Sequence, residues 1–248
     1  MTVALRAESL SRTFSSPAGD VHACATNDLE LRTGELLVVR GASGAGKTTL
    51  LNLLGVLDRP TAGRVWIGET DTTGMSESDL ALLRRDNLGF VFQSFGLIPV
   101  LSARENVELP LRIAGADPIE RTERVTAALE MVGLGDHAEQ RPAELSGGQQ
   151  QRVGIARAIV SRPRILIADE PTGQLDSRTA ATIMDLLGDL AHTEGLAAIV
   201  STHDPLLVAR ADRVIELHDG RITVRESVAP RTRAEARRIA SGAPPPSQ

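Results

Sequence analysis

At 248 residues, 42% hydrophobic and 24% charged, the chain is long enough to bury a core as one large domain or a domain with a subdomain. Its net charge of −5 is a poor footprint for a general nucleic-acid binder, so no nucleic acid is expected as a partner. The lone Cys24 excludes a disulfide framework and a cysteine-based metal site. No apolar run approaches the ~18 residues of a spanning helix, and the N-terminus lacks a signal-peptide core, so the chain is not expected to cross a membrane by itself.

Taken in order, residues 2–7, 21–25, 29–31 and 35–39 read as short strands, the first two separated by turn-formers at 15–20. Aromatic side chains are confined to Phe14, Trp66, Phe90, Phe92 and Phe95, so the core must be aliphatic. Phe14 precedes the turn, where its ring could stack on a nucleobase or plug the N-terminal sheet.

Gly41-Ala42-Ser43-Gly44-Ala45-Gly46-Lys47-Thr48 then fits G-x-x-x-x-G-K-[ST], a loop whose backbone N–H groups cradle phosphates. Its lysine reaches the β/γ-phosphates and its hydroxyl meets Mg²⁺. The context agrees: an apolar run of strand length precedes it. Thr48, Thr49, Leu50, Leu51, Leu53 and Leu54 follow at helical spacing, which would aim a helix N-terminus at the phosphates. Lys47 is the only lysine; the other 26 of the 27 Lys and Arg side chains are arginine. A compact ammonium fits inside a tight phosphate-wrapping loop where a planar guanidinium does not.

Residues 59–63 break the chain, 64–67 resume a strand, where Trp66 is read as packing, and 77–85 form a helix. Leu88, Phe90 and Phe92 alternate with Gly89 and Val91 in a strand that ends at Gln93. An amide at the carboxyl edge of a parallel sheet lies where ligands bind in such folds. From about 94 to 160 the composition turns helical. Ser102 and Glu105 suggest a capped start, Pro110 and Gly115 interruptions, and 120–132 a second helix stopped by Gly133. Ser146-Gly147-Gly148-Gln149 stands directly before an amphipathic helix, a second anion-binding geometry with free N–H groups and a hydroxyl. Residues 164–168 form an apolar strand ending in Asp169-Glu170. The first carboxylate would sit in the Mg²⁺ shell and the second could polarise an attacking water. A helix over 178–192 and a strand over 197–200 lead to His203, placed to reach a γ-phosphate. His218-Asp219-Gly220 fits a tight hairpin turn. Residues 229–248 are rich in Arg, Ala and Pro and read as a disordered tail.

In this order the phosphate loop, Gln93, residues 145–149, Asp169-Glu170 and His203 resemble the ATP-binding cassette family over about residues 2–225. The resemblance implies an α/β fold: a P-loop NTPase core with a mixed sheet, an N-terminal antiparallel β subdomain and an inserted helical subdomain at about 94–160, together spanning 1–228. It implies two copies facing head to tail, each ATP lying between the phosphate loop of one and Ser146-Gly147-Gly148-Gln149 of the other. Phe14 then resembles the adenine-stacking aromatic. By the same resemblance Gly41 to Thr49 would bind the phosphates, Thr48, Gln93 and Asp169 would surround Mg²⁺, Glu170 would be the general base, and His203 would sense the γ-phosphate. Asp176 contacts the opposite copy, and Gln174 departs from the small residue or asparagine usual there. Residues 51–63, 88–111 and 144–176 are similar to the MacB/LolD-type subgroup. That similarity implies a separate membrane permease as partner and a place at the cytoplasmic face of the membrane. An FtsE-like signalling use of the same cassette is the alternative. Residues 95–101 form an apolar run read either as a docking patch for a membrane partner or as subdomain core.

Overall fold

A computed structural model describes residues 2–17 and 19–227; the tail expected at 229–248 lies outside the described residues. The chain begins with a long hairpin of β1 (Val3–Ser16) and β2 (Gly19–Arg32). After β3 (Leu36–Arg40) and α1 (Lys47–Leu54), β4 (Ala62–Ile67) and the short β5 (Thr70–Asp71) complete an antiparallel sheet of order β2-β1-β4-β5. The two short strands expected at 21–25 and 29–31 are therefore one. Asn27 and Asp28 are poor strand formers, but here both are hydrogen-bonded. The buried Asn27 donates to the Gly220 carbonyl at 2.7 Å and accepts the Ile222 N–H at 2.7 Å, and Asp28 accepts the Ser9 N–H at 2.7 Å. Register shifts and the positive φ of Ser9 and Thr26 absorb the irregularity as bulges, so tertiary pairing overrides local propensity.

The main sheet is mixed. It contains β3, β6 (Leu88–Val91), β7 (Ile165–Ala168), β8 (Ala197–Thr202), β9 (Arg213–His218) and β10 (Arg221–Ser227) in the order β10-β9-β3-β8-β7-β6. All neighbouring pairs are parallel except β9–β10. That pair closes through the expected turn, with Asp219 and Gly220 both at positive φ, as a two-residue turn of this twist requires.

Period-two alternation divides the strands between two cores. Leu36, Val38, Leu166, Ala168, Ala198 and Val200 face one core with α6 (Ser177–Glu194) and the helices inserted between β6 and β7. Leu37, Val39, Ile165, Ile167, Ala197 and Ile199 face the other, shared with α1 and the antiparallel sheet. Each fully buried Leu or Ile contributes roughly 1.5–3 kcal/mol, and the aliphatic core is as expected.

α2 (Glu77–Asn87) leads into β6. Of the inserted helices, α3 (Ala103–Ile113) opens on the expected Ser102/Glu105 capping box, α4 (Pro118–Met131) is capped by Asp117, and α5 (Gly147–Ile159) runs back beneath the sheet. The break expected at Pro110 does not occur. The helix carries on to Ile113 because Leu111 in its last turn is fully buried in the helical core, which offsets the lost backbone bond. The apolar run at 95–101 divides. Leu97 packs on the helical core while Ile98 and Val100 face outward. Arg157 of α5 grips its start, donating to the carbonyls of Phe95 at 3.0 Å and Gly96 at 2.6 Å. Half-buried Trp66 carries the Arg6 guanidinium over its ring at 4.2 Å.

Candidate active site

The carboxyl ends of β3, β8, β7 and β6 lie side by side, so the segments that follow them meet at one sheet edge. There they form a cleft of about 780 Å³. Ala42, Ser43, Gly44, Gly46, Lys47, Thr48 and Thr49 line it from the loop and α1, with Gln93 after β6, Glu170 after β7 and His203 after β8. Gly41 and Ala45 lie behind the lining and serve through backbone: the Gly41 carbonyl accepts from Lys47, and the Ala45 carbonyl accepts the Gly220 N–H at 2.9 Å. Gly46 has φ 97°, and a Cβ there would stand 2.2 Å from the Ala23 carbonyl oxygen. Only glycine lets the loop turn into α1 beneath the β1–β2 hairpin.

Lys47 is 7% exposed. Its Nζ donates to the carbonyls of Gly41 at 2.8 Å and Ala42 at 3.0 Å, and pairs with Glu170 Oε1 at 3.2 Å. The three donors of the ammonium thus meet three oxygens. Glu170 Oε2 lies 2.9 Å from His203 Nδ1, so lysine, glutamate and histidine form one connected chain across the cleft. Thr48 Oγ1 donates to Asp169 Oδ2 at 2.7 Å, and Ser201 Oγ donates to Asp169 Oδ1 at 2.6 Å. The sequence reading had no place for Ser201. His22, Asp219 and Gly220 also line the cleft and were likewise not anticipated.

Three expected contributors, Phe14, the Ser146 to Gln149 stretch and Asp176, are not among the residues that line this cleft. Phe14, 42% exposed, is paired in the hairpin with Val21, which does line it, and the Arg12 guanidinium covers the ring at 4.5 Å. Ser146, Gly148 and Gln149 line a separate cleft of about 510 Å³ that shares no lining residue with the first. Of the N–H groups expected to be free there, that of Gln149 is bonded: Ser146 Oγ accepts the Gln149 N–H at 3.3 Å, and Gln149 Oε1 accepts the Ser146 N–H at 2.9 Å. The helix begins at Gly147 because this reciprocal box caps it. Gly148 is held closely, since a Cβ there would meet Thr179 Cγ2 at 2.5 Å. Asp176 caps α6, accepting the N–H groups of Arg178 and Thr179. The Thr179 hydroxyl and N–H hold its carboxyl below the ordinary aspartate range.

Residues 25–173 match the family model for the ABC transporter. The chain belongs to the ABC transporter family. It is 46% identical over 218 residues to the macrolide export ATP-binding/permease protein MacB of Brucella melitensis, covering 88% of this chain and 34% of that one. It therefore spans about a third of the length of such MacB relatives. It is 44% identical over 219 residues to the lipoprotein-releasing system ATP-binding protein LolD 1 of Rhodospirillum rubrum, covering 88% of this chain and 97% of that one. Among solved structures it is similar to a dimeric post-hydrolysis state of the ATP-binding cassette MJ0796 bound to ADP and Pi. That similarity has a TM-score of 0.82 at 40% identity, over 90% of this chain and 98% of that one. The expected α/β cassette architecture is thus borne out.

Proposed function

We propose that the chain is the ATP-hydrolysing subunit of a transport complex, acting as a pair of copies beside a separate MacB/LolD-type membrane permease at the cytoplasmic face of the membrane. The observation that carries this reading is the division of the phosphate-binding elements. Lys47, Thr48, Glu170 and His203 line one cleft, with Asp169 behind it bonded to Thr48, while Ser146, Gly148 and Gln149 line another. One chain then holds half of each of two sites, and a second copy turned head to tail completes both. The dimeric MJ0796 cassette supports the pairing, and the similarity to macrolide-export and lipoprotein-releasing proteins supports transport. Residues 1–228 would form the cassette, about 94–160 its helical subdomain, and Ile98 and Val100 part of the surface offered to the permease. The Arg- and Pro-rich residues 229–248 would form a tail outside it.

In the cleft, Lys47 would exchange its Glu170 contact for the β- and γ-phosphates of ATP, with the amides of Gly41 to Thr49 turned to the same oxygens. Thr48, Gln93 and Asp169 fit Mg²⁺. They offer oxygen donors with a single carboxylate, the donor set a magnesium ion shared with substrate phosphates takes. Bound there, Mg²⁺ would neutralise charge on the β- and γ-phosphates. Freed from Lys47, Glu170 would take the proton of the attacking water at its carboxylate. His203, hydrogen-bonded to that carboxylate through Nδ1, would orient it and register the γ-phosphate. Phe14 would stack on adenine from the hairpin, and Ser146, Gly147, Gly148, Gln149 and Asp176 would meet the nucleotide and loops of the other copy. Phosphate release in the presence of Mg²⁺ tests the assignment. Glu170→Gln is expected to lower kcat by about 10²–10⁴-fold with nucleotide binding retained, and an unchanged kcat would refute it.

A further inference from the structure

A buried hydroxyl behind the acidic pair has no place in the roles given so far. Ser201 is the penultimate residue of β8, between the phosphate-loop strand and the strand that carries Asp169 and Glu170. It is fully buried. Alternation puts its side chain on the face of Ala197 and Ile199, the face packed with α1. Its Oγ donates to Asp169 Oδ1 at 2.6 Å and accepts the Glu170 N–H at 2.8 Å. One hydroxyl thus spends its proton on one acidic residue and a lone pair on the next.

Resting on the ATPase reading, we propose that Ser201 is a positioning residue for hydrolysis, fixing the Asp169 carboxylate and the Glu170 backbone at once. Asp169 Oδ2 is already bonded by Thr48. With Ser201 on Oδ1 the carboxylate plane is set from both sides, and its remaining lone pairs are directed without reorganisation. Glu170 needs the second contact more. Its φ of 46° lies in the left-handed region, which side-chain-bearing residues enter only when neighbours over-determine it. The Ser201 bond to its N–H is one such constraint, and the Gly173 N–H donating to its carbonyl at 3.1 Å is the other. Relaxation of that backbone swings the Glu170 carboxylate away from Lys47 and His203. An alanine at 201 leaves an unpaired amide and a carboxylate free to rotate, yet changes no lining atom of the cleft.

The test compares the full chain with Ser201→Ala, Ser201→Thr and Ser201→Val. The last two add the same volume and differ only in the hydroxyl. Two readouts are followed: steady-state phosphate release, and ADP titration over a range of Mg²⁺ concentrations, which needs no turnover. Loss of an outer partner typically costs about 10–100-fold in metal affinity or activity. Ser201→Ala and Ser201→Val are expected to lose kcat in that range with a smaller change in KM, and to need more Mg²⁺ for half-maximal ADP binding. Ser201→Thr is expected to restore both. Equal behaviour of Thr and Val, or an alanine variant with unchanged kcat and unchanged Mg²⁺ dependence, overturns the proposal. Failure of the ATPase reading itself would appear differently, as no phosphate release by the unmodified chain, and the ADP titration would still decide the role of Ser201.

Discussion

Lys47→Arg keeps the charge and changes only its shape, so it isolates the geometry of the phosphate loop. The ammonium meets three oxygens at 2.8, 3.0 and 3.2 Å around a single nitrogen, in a site 7% exposed. A planar guanidinium spreads its donors over a fork and cannot converge them on one point. Hydrogen bonds to a charged group contribute about 1.5–3 kcal/mol each, so misdirecting one or two costs on the order of 3 kcal/mol. Crowding a well-packed loop adds about 1–3 kcal/mol. If only about 3 kcal/mol of this falls on nucleotide binding, affinity drops by roughly 100-fold at 1.4 kcal/mol per factor of ten. Isothermal titration with ATP in the absence of hydrolysis measures it, alongside a urea unfolding curve to confirm the fold. An affinity within about threefold of the unmodified chain would refute the steric reasoning.

Gly148→Ala places a methyl 2.5 Å from Thr179 Cγ2, and Thr179 cannot swing away without losing its 2.6 Å bond to Asp176. The overpacking of about 1–3 kcal/mol exceeds the helix-propensity gain of up to about 1 kcal/mol, so urea unfolding shows net destabilisation. Thr179→Ser, which removes the methyl and keeps the hydroxyl, recovers most of the loss in the same background; no recovery counts against the contact. At Asp176 the carboxyl is held below its ordinary range by Thr179. Its cap therefore stabilises the chain fully above the ordinary aspartate pKa, and the contribution is lost as pH falls through the lowered value. The stability gap between the unmodified chain and Asp176→Ala should narrow with acidification in that window, and a gap constant through it would show that the ionised cap is not what matters.

What was readable in the sequence and what was not divides by distance along the chain. Gly41 to Thr48 and Asp169-Glu170 are short continuous strings whose chemistry is local; Lys47, Thr48 and Glu170 line one cleft, and Asp169 reaches it through its bond from Thr48. Ser201 bonds Asp169 from 32 residues away, and Asn27 bonds Gly220 from 193; strand order, which creates those contacts, leaves no local mark. Ser201 did carry a weak signal, as one of two hydroxyls that end an otherwise apolar strand. At Ser146 the local pattern also carried a second, structural meaning. Ser146 and Gln149 have the spacing of a capping box, and the structure uses them that way. The reading of 21–25 and 29–31 as separate strands failed because bulges and side-chain bonds carry one strand across Asn27 and Asp28.

The central claim is that the cleft at Lys47 is half of a site. It is tested most directly by the mass of Glu170→Gln in solution, measured by size-exclusion chromatography with light scattering at saturating ATP and Mg²⁺. The account predicts a dimer that forms with ATP, persists because hydrolysis is blocked, and is lost when Gly148 is also replaced by Asp. A monomer at saturating ATP, with nucleotide bound, would contradict it.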